Sequence, residues 1–253
     1  MRMPEFRHHN IRLETVPSRT LPAEPPIEDR IWVREAVRTL QLAFPNQRDQ
    51  TIVADLGCLE GGYALEFARA GFDVVGIEVR PSNFKCCEYV TRHTRQPRLS
   101  FHQDDAWNAA DYGPFDAVFV GGLLYHLDEP VRCLKMIAET TRSLLILNTH
   151  FAVEDRIPAQ HELGPLQAHE GYTGRWYVEF PDTKSFEKRN QYKLSSWQNS
   201  RSFWLLENEI ERALSDAGFE HIEVINKNCE GGFNRQTIVA KKKTAHAENQ
   251  RPS

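Results

Sequence analysis

Asp55, Gly57, Gly61, Gly62 and Glu78 fall within one stretch, VADLGCLEGGYALEFARAGFDVVGIEVR, that runs from Val53 to Arg80. Their types and spacing describe a place where backbone approaches a ligand. Glycine admits positive φ and has no Cβ to hold the ligand off. Glu78, 21 positions after Gly57, is an acid that can accept hydrogen bonds from two ribose hydroxyls. Dinucleotide sites use G-x-G-x-x-G and rest a pyrophosphate on a helix N-terminus. Leu59 breaks that pattern, and Glu60 brings negative charge to where the diphosphate would sit. Asp55 and Glu60 instead suit the cationic end of a phosphate-free adenosine derivative.

A second group lies further on. Tyr125-His126 sits in FDAVFVGGLLYHLDEP, Phe115 to Pro130, and His126 is a candidate general base because imidazole titrates near neutrality. His150 is a second candidate at the same edge. Either histidine could instead only fix its loop. Tyr172, Trp176, Tyr177 and Trp197 could wall an acceptor pocket or form a small core of their own. Among them Trp176 is the favoured contact, because Gly171 and Gly174 suggest a turn exposing nearby side chains. Arg175 suits an acidic acceptor, Tyr172 joins the aromatic wall, and Asn199 in SSWQNSRSFW is a polar contact. His161, Glu162, His169 and Glu170 match no metal-ligand spacing, so no metal is expected.

These residues need a scaffold, and the hydrophobic rhythm supplies one. Apolar runs at Thr51–Leu56, Phe72–Val79, Leu99–His102, Phe115–Val120 and Ser143–Asn148 read as strands. Helical spacing between them, at Tyr63–Ala70, Pro81–Arg92 and Glu129–Thr140, indicates a mostly parallel sheet covered on both faces. A helix from Ile27 to Phe44 precedes them, and residues 1–26, rich in proline, read as an arm. Residues 27–152 form the cofactor-binding part. Residues 153–202, aperiodic and aromatic, read as a lid or acceptor-binding insertion after the fifth strand. Residues 203–242 carry a final helix, Phe203–Ala217, with closing strands at His221–Ile225 and Thr237–Ala240, and 243–253 form a tail.

Val53–Arg80 resembles motif I and its successors in class I S-adenosylmethionine-dependent methyltransferases, whose first loop usually reads D-x-G-x-G-x-G. Leu59 stands at the middle glycine, and a loop keeping its course there requires negative φ. Glu78 matches the family's ribose-binding acid. Asp105-Ala106 in HQDDAW matches the acid that meets the adenine amino group, and Phe115–Pro130 matches the fourth strand and the methyl-facing loop. The segment Ser195–Trp204 resembles bacterial members that act on small molecules. The resemblance implies a doubly wound, seven-stranded Rossmann-like α/β sheet and S-adenosyl-L-methionine as cofactor. It implies contacts from Asp55, Gly57, Cys58, Leu59, Gly61, Glu78, Val79, Asp105, Ala106, Gly121 and Tyr125. Methyl transfer needs alignment and exclusion of water more than an obligatory dyad.

Composition bounds the acceptor. The chain is 40% hydrophobic and 26% charged with a formal net charge of −4, which argues against bulk electrostatic attachment to nucleic acid. No apolar run approaches the ~20 residues of a membrane span, and no secretory signal opens the chain. Five cysteines without a C-x-x-C pair suit reduced thiols in the cytoplasm. The expectation is therefore a cytoplasmic methyltransferase acting on oxygen or nitrogen of a small molecule, with oligomeric state open. A tRNA nucleoside is the alternative acceptor, because GGLLYHLDEP resembles the corresponding stretch of enzymes that modify wobble uridine. An NAD-dependent oxidoreductase and a non-catalytic nucleotide-binding module are further alternatives.

Overall fold

A computed structural model describes residues 2–155, 163–181, 185–189, 191–230 and 234–242. His161, Glu162 and the tail 243–253 lie outside the described residues. In chain order the first half gives α1 (Ile31–Ala43), β1 (Ile52–Leu56), α2 (Gly62–Arg69), β2 (Asp73–Ile77), α3 (Pro81–His93), β3 (Leu99–His102), β4 (Phe115–Gly121), α4 (Pro130–Thr140) and β5 (Thr141–His150). The second half gives β6 (Leu163–His169), β7 (Tyr172–Val178), the short α5 (Phe186–Arg189), β8 (Arg201–Leu205), α6 (Glu207–Asp216), β9 (Phe219–Asn228) and β10 (Arg235–Lys242).

Seven strands pair in the order β3-β2-β1-β4-β5-β10-β9. The strands from β3 to β5 are parallel, and β10 runs antiparallel to both its neighbours. Strand order reverses between β1 and β4, and the crevice at such a switch point is where doubly wound sheets bind ligands. The inner strands are buried almost throughout, which is why they read as unbroken apolar runs. One face packs against the amphipathic helices α4 and α6 through Leu134, Ile137, Ile210 and Leu214. The other packs against α1 and α2 through Val33, Leu40, Leu65 and Phe67.

The N-terminal segment lies on that second face. Phe6, Ile11, Leu13 and Ile27 are buried in the same core as α1 and α2. Glu60 holds the segment down: its buried carboxylate accepts the N–H groups of Arg7, His8 and His9 at 2.7, 3.0 and 2.7 Å. Glu60 thus turns away from any cofactor. Its side chain, expected near a cationic ligand end, instead satisfies three consecutive backbone donors of the arm. His9 adds a second tie, its Nδ1 accepting the Gly62 N–H at the start of α2 at 3.0 Å.

The stretch that lacks periodicity contains a second, antiparallel sheet in the order β6-β7-β8. Phe203–Leu205, expected to begin the final helix, belong instead to β8, and α6 starts at Glu207. Phe203 and Leu205 are buried against the main core, so their apolar spacing serves strand packing. Gly174, expected at a turn, lies inside β7 where its missing Cβ leaves room for the Trp204 carbonyl. The hairpin docks on the main domain through Glu170, whose carboxylate accepts the Val131 and Arg132 N–H groups at the start of α4.

Replacing Glu60 by Ala leaves three arm N–H groups without their acceptor. It should lower stability by roughly 2–4 kcal/mol. Urea denaturation gives the loss, and limited proteolysis should cut first within residues 2–26.

Candidate active site

A cavity of ≈ 460 Å³ opens at the carboxyl ends of β1, β2 and β4, within the size range of small-molecule and cofactor sites. Gly57 turns the chain out of β1 at φ +71° and lines it; glycine takes this left-handed conformation without steric cost. Leu59 departs from the negative φ expected of it and adopts +55°. That conformation aims its N–H at Glu78 Oε2, 2.9 Å away. A charge-assisted hydrogen bond to a buried acid opposes the ~1–2 kcal/mol cost of a left-handed L-residue.

Glu78 is the knot of the site. Its Oε1 accepts the Arg80 N–H at 2.8 Å and, at 3.5 Å, the Asn83 side-chain amide. Burial pushes its carboxyl up to about 7 despite those bonds and the Arg80 charge. Asp55 lies deeper. Its Oδ2 accepts the Ala64 N–H at 3.1 Å, while Oδ1 is buried with no partner. Burial pushes it up to about 8, with the Ala64 bond opposing and the Glu78 charge adding to the rise. Burial of both acids thus outweighs the Arg80 charge beside Glu78. Asp105 caps the turn Ala106–Asp111, accepting the Trp107 N–H at 3.1 Å through Oδ1, and burial raises its carboxyl too.

Of the residues expected to hold a cofactor, Gly57, Leu59, Glu78, Val79, Asp105, Ala106, Gly121 and Tyr125 line the cavity. Asp55, Cys58 and Gly61 stand behind that wall. The Asp55 carboxylate is taken up by the start of α2, the Cys58 thiol meets Cys87 at 3.8 Å, and Gly61 packs against the Phe101 ring.

His126 lines the cavity from the loop after β4. Its Nδ1 is 2.7 Å from Glu179 Oε1, and Glu179 also accepts the Ser202 hydroxyl at 2.7 Å. Burial raises the Glu179 carboxyl, but the charge and hydrogen bond of His126, with Ser202 and the Ser196 N–H, hold it below its ordinary value. The other ring nitrogen, Nε2, keeps no hydrogen-bond partner among the described residues. Nothing in the sequence pointed to Glu179, which is 53 positions from His126 and meets it only through the fold.

His150 does not reach the cavity. Its Nδ1 lies 3.1 Å from the Asn234 carbonyl and its ring stacks on Trp204 at 5.0 Å. The acceptor contacts expected on β7 also point elsewhere. Arg175 is buried and donates to the carbonyls of Val153, Glu154 and Gly164. Tyr172 donates to Asp216 under the Arg212 guanidinium, and Trp176 packs against Phe203 and His169. Of the residues expected at an acceptor pocket, Trp197 and Asn199 do line the cavity, the Asn199 amide donating to the carbonyls of His126 and Arg201.

Lys193–Asn199 covers the cavity. Arg80 donates to the Ser195 and Ser196 carbonyls and lies over the Trp197 ring, and Asn83 donates to the Lys193 carbonyl. The residues just after Glu78 therefore hold the cover in place. From the arm, His8 completes the wall.

Sheet order, crevice and strand-end acids together have the arrangement of class I S-adenosylmethionine-dependent methyltransferase domains. Comparison with known proteins agrees: residues 53–144 match the family model described as a methyltransferase domain. The chain is similar to the N-terminal domain of EvdMO1, crystallised in the presence of S-adenosylhomocysteine and D-fucose, with TM-score 0.68 and 26% identity over 85% of this chain and 84% of that one. It shares its fold with magnesium protoporphyrin IX methyltransferase from Synechocystis PCC 6803 with bound S-adenosylhomocysteine, with TM-score 0.57, 18% identity and coverage of 83% and 82%. Among curated proteins, a tRNA U34 carboxymethyltransferase from Campylobacter hominis is 30% identical over 93 residues. That match takes in 36% of this chain and only 32% of the relative's length.

The residues present fit S-adenosylmethionine. The loop N–H groups of Gly57, Cys58, Leu59, Gly61 and Gly62 already have acceptors and hold none free for a diphosphate, while the Glu78 and Asp105 carboxyls that line the cavity suit a phosphate-free, cationic ligand. Glu78 would take the ribose, Asp105 the adenine edge, and the Gly57–Leu59 turn the amino-acid end.

Glu78→Ala should weaken S-adenosylhomocysteine binding by about 1–3 kcal/mol, read by calorimetry. A positively charged ligand favours the ionised acids, so binding S-adenosylmethionine should release protons. Its affinity should rise with pH through the window set by the carboxyls at about 7 and about 8. Calorimetry in buffers of different ionisation enthalpy checks the release.

Proposed function

We propose that this chain transfers a methyl group from S-adenosylmethionine to an oxygen or nitrogen of a small molecule. The observation that carries the reading is the His126–Glu179 pair at the methyl-facing loop, with Nε2 left for a ligand. When bound, S-adenosylmethionine supplies an electrophilic methyl group on a sulfonium whose leaving group is a neutral thioether.

The chain's own residues supply position and proton removal. Glu78 and Asp105 fix the adenosyl part along the strand ends. The cover held by Arg80 and Asn83 limits water, which strengthens every polar contact inside. Glu179 accepts the Nδ1 proton of His126, which sets the tautomer and directs the basic Nε2 outward. A hydroxyl or protonated nitrogen on the acceptor can lose its proton to that nitrogen as it attacks. The cover over a cavity of ≈ 460 Å³ suits a compact acceptor. The EvdMO1 domain, crystallised with a monosaccharide present, supports that size.

Similarity to the tRNA U34 carboxymethyltransferase favours a second reading, a tRNA nucleoside as acceptor. Product formation separates the two. S-adenosylhomocysteine release should appear with a panel of small hydroxyl and amine compounds and not with bulk tRNA; the reverse result would transfer the assignment to tRNA. His126→Ala should lower turnover by about 10²-fold with S-adenosylhomocysteine affinity intact. Glu179→Gln should also lower turnover and alter its pH profile, since it removes the charge facing the imidazole.

A further inference from the structure

One charged group on the cavity wall is left unexplained by the cofactor. Arg235 opens β10 beside the loop after β4. Its Nε donates to Asn148 Oδ1 at 2.6 Å, which fixes the plane of the guanidinium. Its terminal nitrogens have no hydrogen-bond partner among the described residues. The group lies 5.8 Å from the ring centroids of both Trp32 and Tyr125, so aromatic faces hold it in place. The Tyr125 hydroxyl also lacks a hydrogen-bond partner among the described residues.

Gly122 shows where the two groups converge. A Cβ on Gly122 would lie 3.3 Å from the Tyr125 hydroxyl and 3.4 Å from Arg235 Nη2. The glycine therefore keeps open a small space that a phenol and a guanidinium both face. This space adjoins the loop on which His126 stands.

Building on the methyltransferase reading, we propose that Tyr125 and Arg235 form a subsite for a carboxylate carried by the acceptor. A planar guanidinium edge matches a planar carboxylate through two parallel hydrogen bonds, and the phenol adds a third donor. Charge selects a monoanion. Glu78, Asp105 and Asp128 share the cavity and oppose a doubly charged phosphate, while its other cations, Arg80 and Lys193, donate to the carbonyls of Ser195, Ser196 and Glu5. His8 adds no positive charge: burial first, then Arg30 and Arg235, push it down to about 4, so it is neutral near pH 7. A carboxylate seated there anchors the acceptor next to His126 and leaves its hydroxyl or amine to the base.

The test uses the full chain, saturated with S-adenosylhomocysteine, and two probes of one shape, benzoate and benzamide. Calorimetry should show benzoate bound about tenfold or more tightly than benzamide. Arg235→Gln should abolish the preference, and Tyr125→Phe, which keeps the ring, should reduce it several-fold. Equal affinity for the two probes, or a preference that survives Arg235→Gln, overturns the subsite. Methylthioadenosine, which lacks the amino-acid tail, tests the other source of a carboxylate. If Arg235→Gln weakens S-adenosylhomocysteine but leaves methylthioadenosine unchanged, Arg235 serves the cofactor and the proposal fails. If the wild-type chain binds no S-adenosylhomocysteine, the cofactor reading falls instead, and the benzoate comparison without it still decides the subsite. Near-UV circular dichroism reports folding; should Arg235→Gln unfold, Tyr125→Phe carries the decision.

Discussion

The site depends on a single buried carboxylate. Glu78 leaves the end of β2 and accepts the N–H of Leu59 from one side and the N–H of Arg80 from the other. The first bond sets the course of the loop after β1, and the second sets the start of α3, from which Arg80 and Asn83 reach up to the cover. A charged acceptor in a low-dielectric site binds such donors strongly, and leaving it without them is costly. Loop, helix and roof thus share one electrostatic anchor, which also faces the cavity. Any ligand that engages Glu78 acts on all three.

Burial and positive charge are balanced around that anchor. Asp55 and Glu78 are raised because water has been removed, and at Glu78 the Arg80 charge offsets only part of that burial. Further along the cavity the balance reverses, with Arg235 facing open space and Glu179 kept ionised by His126. The cavity therefore joins the Glu78 and Asp105 carboxyls to the His126 imidazole and the Arg235 guanidinium. A cationic cofactor beside an acidic acceptor would satisfy both groups.

Local signals carried the cofactor end. Continuous apolar strands followed at once by glycine and acid place Gly57, Glu78 and Asp105 at one edge, because a parallel sheet brings all its strand ends together. Leu59 was legible in place but not in conformation, since its left-handed φ answers to a hydrogen bond 19 residues away. The insertion was illegible for a different reason. Period-2 patterning fixes a strand only when one face is clearly buried, and β7 alternates among groups that are polar yet enclosed. Arg175 reads as a surface or binding cation, but three carbonyls consume it. Glu60 carried a charge argument toward the ligand, whereas the donors it meets come from residues 7–9, more than fifty positions earlier in the chain. Asn199 and His126 reach the cavity, yet Glu179, the partner of His126, had no local mark.

The tie between Glu60 and residues 7–9 also dictates an order of assembly. The N–H groups of residues 7–9 have their acceptor more than fifty residues downstream, and closing so long a loop is entropically unfavourable until β1 and α2 have formed. The arm thus settles after the strand and helix it leans on. Because His8 belongs to that segment, the cavity wall is complete only when the two ends of this long loop have met.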